Sequence, residues 1–148
     1  MNDPLLVGAP LPIEATCYPL GFRLRIRTNS EAAVRVAVEN WSDAQAFDDY
    51  SAELRILVSG QPGGEPVEPS YHGQPGLMTV VSGPASHAVC DFERGIAACW
   101  LAPETVARSA WVRHFFLDPI VYSMLCYDRL TPVHASCVAR DGAGLVLC

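Results

Sequence analysis

The sequence predicts an α+β fold: a mostly antiparallel sheet, one helix after its first strand, and a helical pair before a C-terminal β-hairpin. Short runs of alternating apolar and polar residues recur between Gly/Pro-rich turns, which is typical of strands. Only two stretches, 31–41 and 103–127, have helical periodicity. Half of the 148 residues are apolar and 18% are charged, a composition that favours one globular domain over residues 1–148.

The first part of the chain predicts an arm and a strand with two unlike faces. Residues 1–19 contain four prolines, so we expect an extended arm with one short strand. Residues 22–27 then alternate large apolar residues with Arg23, Arg25 and Arg27. Such an arginine face could bind a phosphate or an acidic partner, but salt bridges to a neighbouring strand are the more ordinary interpretation.

Capping residues and the spacing of apolar residues predict a helix and then a strand. Asn29 or Ser30 can cap a helix that ends near Trp41, and residues 53–58 alternate like a strand. A polar connector lies between them at 42–51. It carries Asp43, Asp48 and Asp49, whose spacing lacks the pattern of a calcium loop, so it predicts a solvated loop.

The middle of the chain predicts a loop and three strands. Residues 60–76 are rich in proline and glycine and favour a long loop of unassigned role. A strand is expected at 77–82, followed by a hairpin of strands 86–92 and 96–101. His87 in this hairpin is interpreted as an ordinary strand histidine.

Two helices precede the C-terminal segment. Pro103 suits the first turn of one helix, and Asp118-Pro119 suits the cap and first turn of another that ends near Tyr127. Because residues 120–126 are nearly all apolar, we expect the second helix to be buried on most sides or to lie at an interface.

The last eighteen residues predict a hairpin. Residues 133–140 alternate like a strand, and residues 141–144 contain two glycines that suit a turn. Residues 145–148 are a continuous apolar run, which favours a strand buried on both faces. We expect His134 and Cys148 to lie at the same end of this hairpin.

This segment resembles a known family. The run His-Ala-Ser-x-Val-Ala-x-x-Gly-x-Gly-Leu-Val-Leu-Cys at 134–148 resembles the segment before the phosphate-binding loop of HPr kinase/phosphorylase-like proteins. The likeness covers about residues 130–148, which would be the start of the kinase-like core. It implies that Cys148 immediately precedes the position of a Gly-x-x-x-x-Gly-Lys-[Ser/Thr] loop, and that the chain is the portion in front of that loop.

The resemblance implies a role for His134 and a cofactor for the complete protein. His134 matches the family's active-site histidine, which would help to place phosphate or the acceptor hydroxyl in a complete enzyme. ATP and Mg²⁺ are implied for a complete family member. All ten cationic residues of this chain are arginine, so it lacks the loop lysine and is expected to be non-catalytic, with no cofactor of its own.

Other interpretations of the histidine segment are weaker. His134 could be an ordinary strand histidine. His134 and Cys137, three apart in a strand, would point to opposite faces, so a metal site is not expected. Ser136 would share a face with His134, but no acidic partner or nucleophile turn accompanies them.

The net charge and the first residues of the chain indicate which partners and which compartment to expect. A net charge of −6 argues against nucleic-acid and anionic-membrane surfaces, which bind clustered cations. Residues 1–9 lack the features of a signal peptide, so the cytoplasm is the expected compartment, and the six cysteines are expected to be free thiols.

The sequence therefore leaves two functional hypotheses, one for an enzyme and one for a binding module. The favoured one is the N-terminal region of an HPr kinase-like serine kinase, with a downstream kinase domain as its partner. The alternative is a free-standing regulatory or binding module that dimerises through residues 119–127. An unrelated small hydrolase is a third and weaker possibility.

Overall fold

The computed structural model describes residues 5–41, 46 and 50–147. They form a seven-stranded sheet, helices that pack on one face of it, and a separate two-stranded sheet. The elements, in chain order, are β1 (Ile13–Cys17), a 3₁₀ turn (Pro19–Gly21), β2 (Arg23–Thr28), α1 (Glu31–Trp41), β3 (Ser51–Val58), β4 (Ser70–Gln74), β5 (Leu77–Ser82), β6 (Ser86–Asp91), β7 (Ile96–Leu101), α2 (Pro103–Ala107), α3 (Ser109–Val112), a π-helical segment (Arg113–Leu117), α4 (Asp118–Asp128), β8 (Ser136–Arg140) and β9 (Ala143–Leu147). The predicted α+β class is confirmed. None of the helices in these residues is long and apolar enough to cross a bilayer.

The large sheet has the strand order β1-β2-β3-β7-β6-β5-β4. Strands β2, β3 and β7 are parallel to one another, and the other neighbours are antiparallel. The parallel pair β2–β3 is joined through α1, as a parallel connection requires a crossover. The helices cover one face of the sheet, here called the inner face, and the opposite face is called the outer face.

The alternation in β2 places its two faces as predicted. Leu24 and Ile26 are buried in the core beneath the helices, while Arg23 and Arg25 are exposed on the outer face. Ser30 caps α1, since its Oγ accepts a hydrogen bond from the Ala33 N–H at 3.4 Å. The end of β2 is therefore followed by a helix that is positioned from its first turn.

The second predicted helix begins at Asp118 as expected, but the cap predicted at this residue is wrong. Leu117 is helical, so the chain runs from the π-helical segment into α4 without a cap at Asp118. Asp118 instead accepts a hydrogen bond from the Asn40 side chain, 2.7 Å away, and so joins α4 to the end of α1. The burial of the apolar helix is confirmed, with Ile120 and Val121 almost fully buried.

The predicted loop at 60–76 contains a strand. Residues 70–74 form β4, which pairs with β5 across a turn at Pro75-Gly76, where Gly76 has φ +76°. All five residues of β4 are exposed and none is a large aliphatic residue, so no apolar alternation revealed the strand. The partner strand β5, at 77–82, agrees with the prediction.

Gly63 anchors the remaining part of this loop, and its substitution should destabilise the fold. An added Cβ would lie 2.4 Å from Ala102 Cβ and 2.6 Å from Ala85 Cβ, neither of which can rotate away. The backbone would have to move, and the hydrogen bond from Gly63 N–H to the Glu104 carboxylate would lengthen from 3.0 Å. We expect Gly63→Ala to lower the free energy of unfolding by about 1–3 kcal/mol in urea titrations.

The matched control is Gly60→Ala. A Cβ at Gly60 meets nothing within 4 Å, so this variant should unfold at the wild-type midpoint. Equal midpoints for Gly63→Ala and Gly60→Ala would contradict the packing described for the loop.

Candidate functional site

The C-terminal hairpin has the pairing that the sequence predicts. Strands β8 and β9 are antiparallel, with Arg140 opposite Ala143 at the turn and Ser136 opposite Leu147 at the open end. The turn itself consists of Asp141 and Gly142, with φ +52° and +80°. Two consecutive positive φ values in an Asp-Gly loop are typical of a tight two-residue hairpin.

His134 lies just outside the strand in which we predicted it. The strand begins at Ser136, and residues 131–135 have no regular structure. Leu147, the last described residue of β9, is opposite Ser136, so no described residue of β9 pairs with residues 133–135. His134 is exposed on the segment that leads into the open end of the hairpin. Cys148, which we expected at the same end, lies outside the described residues.

The prediction that the last apolar run is buried is wrong for Leu145 and Val146, the two residues of the run whose side chains the structure describes. Exposed fractions are 63% for Val133, 62% for Val138, 61% for Leu145 and 57% for Val146. Val138 is opposite Leu145, so the two share one face of the hairpin, and Val146 belongs to the other face. Apolar sequence favours burial but does not supply the layer that covers it, and this hairpin is a sheet of its own.

A nucleophile pair of Ser136 and His134 would require both residues to lie in one strand. His134 is not in β8, so it does not share a strand face with Ser136. Within the described residues, no group of three or more His, Cys, Asp or Glu side chains could hold a metal ion. Asp43, Asp48 and Asp49 lie outside those residues.

The arginine face of β2 forms salt bridges to its neighbouring strands. Arg25 Nη2 lies 2.8 and 2.9 Å from the two carboxylate oxygens of Glu14 in β1, and Arg25 is 3.8 Å from Glu53 in β3. Arg27 Nε is 3.2 Å from the same Glu14. The hydrogen bond from Arg25, with the charge of Arg27, holds the pKa of Glu14 below its usual range. These distances support the interpretation that the arginine face forms salt bridges to neighbouring strands, rather than a site for a phosphate or an acidic partner.

A buried arginine that the sequence did not single out fixes the N-terminal arm. Arg55 is 8% exposed; its Nε is 2.6 Å from Glu53, and its Nη1 donates to the Leu5 carbonyl at 2.7 Å. The arm then packs Leu6 and Leu11 on Ala98 of the outer face. An arginine between the buried residues Leu54 and Ile56 of a strand was the available signal, since a buried cation requires partners.

The described thiols are held in apolar surroundings. Cys17, Cys90 and Cys99 are buried and free, and Cys126 is free and half-buried. Burial raises the pKa of Cys17 and of Cys90 to about 12 and raises that of Cys99 well above its ordinary value. These three thiols therefore stay protonated at neutral pH, which makes them poor nucleophiles.

Comparisons with known proteins give no relative. No family model, no curated protein and no solved structure matches the chain. The likeness of residues 130–148 to the HPr kinase/phosphorylase family therefore rests on the residues of this chain alone.

Proposed function

We propose that this chain is the N-terminal region of an HPr kinase-like, ATP-dependent serine kinase, in which the β8–β9 hairpin begins the nucleotide-binding core. The single observation that carries the proposal is an exposed hairpin that has apolar side chains on both faces and directly follows His134. Its sequence is the one that resembles the entry to a phosphate-binding loop.

A hairpin of this kind requires further strands and covering layers. An isolated two-stranded hairpin is marginally stable in water. Apolar side chains on both faces are typical of strands inside a sheet that is covered by layers on either side. The strand that leads into a phosphate-binding loop occupies that kind of position. A kinase core continuing from β9 would supply both the adjoining strands and the covering helices.

His134 has a defined place in this proposal. In the complete protein it would lie near the bound nucleotide, where an imidazole can position a phosphate or the acceptor hydroxyl. The phosphate loop of the core would provide the lysine and the hydroxyl group that binds Mg²⁺, neither of which the present residues supply as a Gly-Lys-[Ser/Thr] unit. The four cysteines that are free within the described residues support our proposal that the protein works in the reducing cytoplasm.

Substitutions in the hairpin test the proposal on the chain itself. With the hairpin uncovered, we expect open-ended self-association that grows with concentration in light scattering. The double variant Val138→Lys/Leu145→Lys should suppress it without changing the melting temperature, because both side chains are exposed. Val7→Lys, at a valine that is 68% exposed on the arm, is the matched control and should associate like the wild type. Equal scattering from all three proteins would count against an uncovered docking element.

The residues present also predict the nucleotide affinity of the chain. We expect no binding of Mg-ATP in calorimetry, because no lysine and no glycine loop at a helix start can hold the β- and γ-phosphates. A dissociation constant in the micromolar range would show that nucleotide binding resides in these residues and would contradict the proposal.

The alternative, a free-standing binding module, is favoured by a different observation. The open edge strand β4 could accept another strand. Dimerisation through residues 119–127 has less support, since all the large aliphatic side chains of α4 are buried in the core and, among its aromatic residues, only Tyr127 is exposed. The buried residues of α4 are Ile120, Val121, Met124 and Leu125.

A further inference from the structure

The sheet ends in a strand that lacks the usual protection of an edge. Strand β4 pairs with β5 on one side and is the last strand of the sheet. Its residues, Ser-Tyr-His-Gly-Gln, include no carboxylate, lysine, arginine or proline, and all five are exposed. Natural edge strands commonly carry a charge, a proline or a bulge that prevents pairing with another chain.

Apolar side chains surround this edge. Val67 is 58% exposed, Tyr71 is 43% exposed and Val81 is 41% exposed. Val81 is opposite Ser70 in the β4–β5 pair, and the Val67 carbonyl accepts a hydrogen bond from Ser82 at the end of β5. Tyr71 is therefore an exposed large side chain on the edge strand itself, while Val81 lies one strand in on the opposite sheet face and Val67 precedes β4.

Tyr71 is held in place before any partner arrives. Its hydroxyl donates a hydrogen bond to the Phe115 carbonyl of the π-helical segment, at 2.9 Å. An aromatic ring that is already fixed loses little conformational entropy when a partner covers it. Gly73 lies two residues further along the same face of the strand. It leaves open space beside the backbone, because a Cβ built there meets nothing within 4 Å.

We propose that β4 is a dimerisation edge, which pairs antiparallel with β4 of a second copy about a two-fold axis at His72. This register sets Tyr71 of each copy opposite Gly73 of the other, so that each ring covers a glycine. Ser70 falls opposite Gln74, a neutral polar pair. Pro69 and Pro75 flank the paired residues, and because proline has no N–H they end the pairing on both sides.

The self-complementary pattern favours a second copy over a foreign strand. A two-fold interface requires each residue to suit its own counterpart, and a strand with an aromatic residue and a glycine placed symmetrically about its centre meets that condition. The five paired residues bring no ionised carboxylates together, although the chain carries a net charge of −6.

Analytical ultracentrifugation tests the proposal in the Val138→Lys/Leu145→Lys background, which removes association through the hairpin. We expect a closed dimer of twice the 16.0 kDa chain mass. His72→Lys places two ammonium groups opposite each other and should give a folded monomer with the circular dichroism spectrum of the parent protein. Gln61→Lys, the same change of charge in an exposed loop, should leave the dimer intact.

A second variant tests the register. Gly73→Ala meets open space within the chain, so the fold should be unaffected, but the added methyl group lies under the partner's Tyr71 ring. We expect the dimer to dissociate about tenfold more readily, which corresponds to about 1.4 kcal/mol. A monomer in the hairpin-substituted background, or a dimer that His72→Lys leaves intact, would overturn the proposal. Neither result bears on the kinase proposal, which is tested at the hairpin.

Discussion

Replacing Phe116 by alanine should lower the free energy of unfolding by about 3–5 kcal/mol. The side chain is fully buried and belongs to the core between the helices and the inner face of the sheet. Its ring centroid is 6.0 Å from that of Trp111 in the preceding turn. The helical backbone fixes the surrounding side chains, so the cavity can close only in part and most of the lost contacts stay lost.

Urea denaturation followed by tryptophan fluorescence measures this loss, and Phe115→Ala is the matched control. Phe115 is the adjacent residue of the same helical segment but is only partly buried, so its removal should cost clearly less. Small domains are stable by about 5–15 kcal/mol, which means that Phe116→Ala should remain folded in the cold. Equal effects at the two positions would contradict the described orientation of the helix.

Arg55→Met should destabilise the domain by about 3 kcal/mol and release the N-terminal arm. The substitution keeps most of the aliphatic stem but removes the group that binds Glu53 and the Leu5 carbonyl at 2.6 and 2.7 Å. It leaves a half-buried carboxylate and a carbonyl without this partner, and the cost of such groups is the main part of the expected loss. The arm should then be cut by a protease near Leu6 at a concentration that leaves the wild type intact.

The control for Arg55 is Arg25→Met. Arg25 also binds a glutamate with short contacts, but its side chain is 44% exposed and water can replace the lost interaction. We expect little change in its unfolding midpoint and no release of the arm. Protease resistance of the arm in Arg55→Met would show that Leu6 and Leu11 hold it without the arginine.

The sequence predicted the elements that have a buried face but missed an exposed strand. Where one face of an element is buried, periodicity placed it well, as for Leu24 and Ile26 in β2 and for the β6–β7 hairpin. Strand β4 was missed because an exposed edge strand has no buried face to impose alternation. A turn of Pro75-Gly76 before β5 was the only local sign of it.

The sequence predicted that β8 and β9 form a hairpin, but it did not predict that the apolar side chains of this hairpin are exposed. Asp141-Gly142 and the runs on either side specify the hairpin through local turn chemistry. The exposure of Leu145 and Val146 could not be predicted, because burial depends on what packs against a strand rather than on the strand itself. For the same reason, the extended arm was expected, but its attachment to Arg55 was not.

If the β8–β9 hairpin leads into a nucleotide-binding core, the coding sequence that follows the Cys148 codon in the transcript must encode that core. We expect a continuous reading frame that encodes Gly-x-x-x-x-Gly-Lys-[Ser/Thr] immediately after Cys148. A stop codon at that place, with no phosphate-loop sequence in any frame beyond it, would contradict the kinase proposal and leave the free-standing module.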